Sequence, residues 1–154
     1  MQRLIDGYRR FRAGQYQAER QRYEQTADNG QEPLALVIAC SDSRVDPQLI
    51  FDAGPGELFV VRNVANLVPP FERDAAYHGT SAALEFAVRS LKVRDIVVMG
   101  HGMCGGIHTL LNGAPDGEST DFVEHWMQIA APAKRATEGI EPEARQTACE
   151  HAAI

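Results

Sequence analysis

At 154 residues, 44% of them hydrophobic and 23% charged, the chain suits one globular domain with a single core. A formal charge of −6 argues against a nucleic-acid partner, because the arginines at 3, 9, 10 and 12 are interleaved with apolar residues and followed by acids rather than forming a basic face. The opening has no signal-peptide core, no run reaches membrane-spanning length, and three cysteines make no disulfide framework, so a reducing cytoplasm is the expected home.

Residues 2–27 carry Leu4, Tyr8, Phe11, Tyr16 and Tyr23 mostly at helical spacing among Arg, Gln and Glu, which predicts a helical arm, with Gly7 and Gly14 allowing a bend or two helices. Such an aromatic-striped arm packs either on its own domain or across a partner subunit. Asp28-Asn29-Gly30 is a turn, and Gln31-Glu32-Pro33 leads into a first strand at 34–39. Val45-Asp46-Pro47 opens a short helix through Phe51, with Pro47 suited to its first turn. After the break at 53–56 comes a second strand at 57–62, then an irregular stretch at 63–66 that Pro69-Pro70 closes. Residues 79–92 predict the clearest helix, with Leu84, Val88 and Leu91 spaced by four and three. A third strand at 93–99, a short helix at 105–111 and a loop at 112–119 follow. A helix at 121–135 then carries Phe122, Trp126 and Ile129 on one face, and a last helix runs from Pro142 to Ile154.

Strands alternating with helices predict an α/β fold, a parallel sheet flanked by helices. The expected organisation is a single domain over 1–154, with a helical arm at 1–27, a core at 34–112 and C-terminal helices at 119–154. No capping glycine follows the last helix, and three strands leave two open sheet edges, so the chain reads as incomplete or as completed by a partner.

Two stretches stand at strand ends: Ala39-Cys40-Ser41-Asp42-Ser43-Arg44, and Gly100-His101-Gly102-Met103-Cys104-Gly105-Gly106. Side chains just past the carboxyl ends of neighbouring parallel strands meet in one crevice, so Cys40, His101 and Cys104 converge if the two strands adjoin. Two thiolates and an imidazole are a donor set of catalytic zinc sites, which keep a fourth position open. Each piece alone has a plainer explanation: a buried cysteine as a small hydrophobe, and Asp42 with Arg44 as a structural ion pair. Cys104, at the amino end of a helix, is expected to gain thiolate stabilisation there, and Gly102, Gly105 and Gly106 allow close backbone approach to metal and substrate. His108 reads as a packing or surface residue in preference to a proton relay near the site's mouth, Arg62 as a structural ion-pair partner and Cys149 as a structural or surface thiol.

In combination, Cys-Ser-Asp-Ser-Arg at 40–44, Pro-Gly-Glu-Leu-Phe-Val-Val-Arg-Asn-Val-Ala-Asn at 55–66 and His-Gly-x-Cys-Gly-Gly at 101–106 resemble the β-class carbonic anhydrases, closely over about residues 30–112. The resemblance implies that family's parallel α/β fold without its usual last strands, and one zinc per chain held by Cys40, His101 and Cys104. It implies reversible hydration of carbon dioxide to bicarbonate and a proton by attack of zinc-bound hydroxide. Asp42 and Arg44 would form the dyad beside the metal, the arginine holding the aspartate as a hydrogen-bond acceptor. In a closed form the aspartate would swing onto the zinc instead.

Gln31 matches a substrate-binding glutamine of the plant-like branch and Phe59 a pocket aromatic, both serving the neighbour's zinc across family dimers, so a homodimer or higher homo-oligomer is implied. Gly102 is expected to line the substrate position, and Phe86 stands where many members have tyrosine. Arg62 matches an arginine of a regulatory bicarbonate site in some members, but Phe86 and Gln31 favour the structural role. Because two thiolates offset the metal's double charge, activity is expected to rise with pH into the alkaline range. Competing readings are a hydrolase of carbonyl sulfide or carbon disulfide, a catalytically silent zinc-binding assembly module, and a redox pair of Cys40 and Cys104.

Overall fold

The run Ala-Leu-Val-Ile-Ala-Cys forms the middle strand of the sheet, and its composition follows from that position. In the computed structural model, which describes residues 1–74, 77–114 and 120–154, strand β1 (Ala35–Cys40) lies between β2 (Leu58–Asn63) and β3 (Asp95–Met99), parallel to both. A parallel strand covered on both faces reads as a continuous apolar run, and Leu36, Val37, Ile38 and Ala39 are at most 1% exposed. The register sets Ala35 opposite Leu58 and Asp95, Ala39 opposite Met99, and Cys40 opposite Asn63. The α/β class and the three expected strands are thus present, each shifted by one or two residues at its start.

The helical segments follow local chemistry. Asp46 caps α4 (Pro47–Ile50) by accepting the Gln48 amide at 3.0 Å, and Pro47 occupies the first turn. Helix α5 (Gly79–Phe86) runs on into a π-helical turn at Ala87–Leu91, which Lys92 ends in the left-handed region at φ 53°. Helix α6 (Gly105–Asn112) begins at Cys104, and residues 115–119 of the expected loop lie outside the described residues. The expected helix at 121–135 is divided into α7 (Val123–Met127), a 3-10 turn at Gln128–Ala130 and α8 (Ala131–Ala136). Pro132, in the first turn of α8, has no amide hydrogen to continue the ladder from α7. Helix α9 (Pro142–Ala152) closes the described chain, again with proline in its first turn.

The amino-terminal arm departs most from the expected helix at 2–27. It consists of α1 (Gln2–Ala13), α2 (Gln15–Ala18) and α3 (Arg20–Asn29), broken at Gly14 and Glu19. The break turns the aromatic stripe onto itself: Phe11 stacks 6.0 Å from Tyr16 and 6.2 Å from Tyr23, and Tyr16 lies 5.2 Å from Tyr23. No arm residue is fully buried, and the arm is tied to the sheet by the Arg22–Glu57 ion pair at 2.6 Å.

Two buried clusters flank the sheet. Leu36, Ile38 and Ala87 pack on one side with Phe59 and Leu84 against them. The larger cluster joins Cys40 at the end of β1 to Cys104, Ile107 and Leu110 of the α6 region, Met127, and Cys149 of α9. Gly106 packs closely against this larger cluster. A Cβ there would lie 2.9 Å from Val64 Cγ1, 3.0 Å from Ala65 Cβ and 3.2 Å from Met127 Sδ. Gly106→Ala is therefore expected to lower stability by about 1–3 kcal/mol through overpacking, read as a reduced urea midpoint. An unchanged midpoint would show that α6 can shift without cost.

Candidate metal centre

Adjacency of β1 and β3 brings two sequence-distant loops together. Cys40 is the last residue of β1, His101 stands two residues beyond β3, and Cys104 is the N-cap residue of α6. One ligating atom from each of the three lies within 4.8 Å of the others, and this is the one such group of three or more His, Cys, Asp or Glu among the described residues. Cys40 and Cys104 are 5% and 2% exposed, so water does not satisfy the sulfur atoms.

His101 carries the sharper test of what the cluster holds. Its Nδ1 lies 2.9 Å from the Gly102 carbonyl oxygen, which can only accept, so the proton resides on Nδ1 and the Nε2 lone pair is free. That Nε2 is buried and has no hydrogen-bond partner among the described residues. Leaving a buried acceptor unsatisfied costs about 1–3 kcal/mol, a penalty that a bound cation removes. A histidine whose other nitrogen is held by a carbonyl, beside two sulfur donors, fits a soft to borderline divalent metal.

Burial pushes the Cys104 thiol above its ordinary range, and the nearby Cys40 adds to the rise; the Ile107 and Gly106 amides at the head of α6 pull the other way. The helix start thus acts in the direction expected from the sequence but does not prevail over desolvation. A cation would displace the protons from such thiols, which couples metal uptake to proton release.

Asp42 and Arg44 form a two-pronged pair. Arg44 Nε donates to Asp42 Oδ1 at 2.9 Å, its Nη2 donates to Oδ2 at 2.8 Å, and its backbone amide adds a third bond to Oδ1 at 2.9 Å. The same Nη2 donates to the Met103 carbonyl at 3.0 Å, tying the first loop to the second where Met103 adopts φ 57°. Such a left-handed non-glycine residue between two ligands is a local strain that the surrounding contacts must hold. Arg62 has the structural role expected of it: it pairs with Asp46 at 3.0 Å and donates to the Cys40 and Asp42 carbonyls at 3.0 and 2.6 Å.

The remaining residues singled out from the sequence are scattered. Gly102 lies in the second loop and supplies the carbonyl that orients His101. Gln31 precedes the amino end of β1, the opposite end from Cys40, and six strand residues at about 3.3 Å each separate the two ends. Phe59 sits opposite Leu36 near that same end, its ring 5.8 Å from Phe86. Neither joins this chain's own cluster. His108 is exposed, and Cys149 is fully buried, which makes it a structural thiol that burial pushes upward.

One contact was missed. Glu150, 7% exposed, accepts the Cys104 amide at 2.8 Å. Its only trace in the sequence is its place with Gln146, Cys149 and Ala153 at helical spacing, an acid in an otherwise inward stripe of α9.

The side-chain and backbone hydrogen bonds of Arg44 hold the Asp42 carboxyl well below its ordinary 3.8, against a smaller upward push from desolvation. A depressed carboxyl favours the folded state above its ordinary value, and that contribution is lost as the pH falls through the lowered one. An NMR titration is expected to find Asp42 still ionised at its ordinary midpoint of 3.8, and Arg44→Leu to return the midpoint toward that value. A midpoint that does not respond to Arg44→Leu would remove the arginine as the cause.

Comparison with known proteins agrees with this geometry. The carbonic anhydrase family model matches residues 35–154. A carbonic anhydrase of Synechococcus elongatus is 44% identical over 135 residues, which is 88% of this chain and 48% of the relative. The chloroplastic β carbonic anhydrase 5 of Arabidopsis thaliana is 42% identical over 130 residues, 84% of this chain and 42% of the relative. The solved β-carbonic anhydrase CcaA superposes with a TM-score of 0.90 at 37% identity, over all of this chain and 70% of that one. A tetrameric β-carbonic anhydrase of Sordaria macrospora gives 0.79 at 28% identity, over 97% of this chain and 74% of that one. The chain spans about half the length of the curated relatives it matches. Sequence, sheet order and the cysteine–histidine–cysteine cluster agree: the chain belongs to the β-class carbonic anhydrases.

Proposed function

We propose that the protein hydrates carbon dioxide reversibly to bicarbonate and a proton, using one zinc ion per chain held by Cys40, His101 and Cys104. The observation that carries this reading is the buried, unpartnered Nε2 of His101 beside two buried sulfur atoms. Two thiolates and one imidazole suit zinc in a site that keeps an open position. When bound, zinc acts as a Lewis acid and makes a water nucleophilic at accessible pH, less strongly here because two thiolates offset its charge.

The chain's own residues supply orientation. With its carboxyl held ionised by Arg44, Asp42 is an acceptor with no proton to give across the physiological range. It can therefore order a donor beside the cluster but cannot serve as the acid. Because both of its oxygens are engaged by Arg44, the reading is of an open site, with Asp42 held back from the metal. Arg44 in turn keeps the Met103 carbonyl in place, so the dyad and the second loop move together.

Gln31 and Phe59 are assigned to substrate binding in the neighbouring subunit's site, supported by their place at the far end of the sheet from this chain's cluster. A homodimer or higher homo-oligomer follows from that assignment, and the Sordaria macrospora relative is described as tetrameric. Gly102 is assigned to the substrate position at the loop's exposed surface. A reducing cytoplasm suits three free, buried cysteines, and no helix among the described residues is long and apolar enough to cross a membrane.

The test is stopped-flow carbon dioxide hydration by the full-length protein with its zinc quantified, at about pH 7 and about pH 8.5. Turnover that rises between the two is expected, and zinc-loaded protein without turnover at either pH would overturn the proposal in favour of a silent zinc protein. Asp42→Asn is expected to keep zinc and lose about 10–100-fold in turnover, since it forfeits the charged acceptor. Undiminished turnover would exclude Asp42 from the reaction.

A further inference from the structure

We propose that Glu150 of α9 is a positioning residue for the metal centre, its carboxylate setting where Cys104 presents its sulfur. The inference rests on the zinc reading above and extends it to a helix outside the two ligand loops.

A helix begins with amides that have no partner within the helix. In a capping box, an acid at the third helical position reaches back to the N-cap amide. In α6 the N-cap residue is Cys104 and the third position is Ile107, which is 3% exposed and belongs to the core. The acceptor that α6 lacks comes instead from 46 residues further along the chain, where Glu150 Oε1 takes the Cys104 amide at 2.8 Å. A carboxylate at a helix amino terminus is also favoured by the helix dipole, which offsets part of the cost of its burial.

The carboxylate is itself held. Gln146, one turn earlier on α9, donates from Nε2 to the same Oε1 at 2.9 Å, and its Oε1 lies 3.3 Å from His108 Nδ1 on α6. Helix α9 therefore grips α6 at two levels, at Cys104 and at His108. The second oxygen, Oε2, lies on the Gly102 side: a Cβ built on Gly102 would stand 4.0 Å from it. Gly102 is the residue whose carbonyl fixes the His101 ring. One side chain thus bonds the backbone at Cys104 and faces Gly102, the residue that follows His101. Metal sites tolerate errors of only about 0.2 Å in ligand distance, so backbone displacement at Cys104 should be felt in metal retention.

Both hydrogen bonds to Glu150 end on a single oxygen, which separates the effect of the bond from that of the charge. Glu150→Gln keeps the reach and an acceptor oxygen without the charge, whereas Glu150→Asp keeps the charge but is one methylene too short. In the full-length protein, zinc release to a competing chelator is expected to quicken about 10–100-fold in Glu150→Asp and to stay near native in Glu150→Gln. The thiolate-to-metal absorption of the cobalt-substituted protein should shift in Glu150→Asp and not in Glu150→Gln.

Native release rates in Glu150→Asp would overturn the proposal. So would release from Glu150→Gln as fast as from Glu150→Asp, or a cobalt absorption left unshifted in Glu150→Asp. If Glu150→Asp does not fold, Glu150→Gln together with Gln146→Leu decides. Faster zinc release from Gln146→Leu, with near-native release from Glu150→Gln, supports the positioning role, and native rates in Gln146→Leu overturn it. Native protein that takes up no zinc would sink the zinc reading itself, whereas zinc held equally by native and Glu150→Asp proteins removes only the role of Glu150.

Discussion

The parallel pairing of β1 with β3 is the constraint on which the site depends. With Ala39 opposite Met99, the carboxyl ends of the two strands finish at one level, and the chain that leaves each of them enters the same crevice. Cys40 arrives on the first strand, while His101 and Cys104 arrive on the turn from the second strand into α6. A shift of one residue in this register would turn every side chain of β3 to the opposite face and part the two loops. Leu36 to Ala39 are buried on both faces, as the central strand of a covered parallel sheet requires.

Around that crevice, guanidinium groups hold backbone as much as they pair charge. Arg44 joins Asp42 to the Met103 carbonyl, and Arg62 joins Asp46 to the Cys40 and Asp42 carbonyls. Arginine suits both tasks, since its planar fork offers several donors at fixed angles and stays charged. The result is a pair of loops whose carbonyls are pinned from outside while the sulfur and imidazole atoms face inward. The nitrogen of His101 that lacks a partner among the described residues is a cost to the fold, and a bound cation would remove it.

The amino-terminal arm follows a different logic. Its aromatic residues find each other rather than the sheet, and Leu4 and Tyr8 remain 71% and 61% exposed. Gly14 makes this possible by interrupting the helix between Phe11 and Tyr16. The arm's attachment to the sheet through Arg22 and Glu57 is polar and partly exposed, so it adds little to stability.

The amino-acid sequence by itself determined the alternation of apolar strands and amphipathic helices, the parallel α/β class, and the three ligand-type residues with Asp42 and Arg44 beside them. These were legible because strand runs and short motifs are local, and because a rule of parallel sheets converts strand ends into a shared site. Other features were not local. The second break of the arm, at Glu19, depends on how Phe11, Tyr16 and Tyr23 pack, and the break before Pro132 depends on where α7 and α8 settle against the core. Only the tertiary structure decided that burial outweighs the helix start at Cys104, and that Glu150 reaches the Cys104 amide. The physical reason is that desolvation and hydrogen bonds between residues 46 positions apart are properties of packed neighbours, which spacing along the chain does not encode.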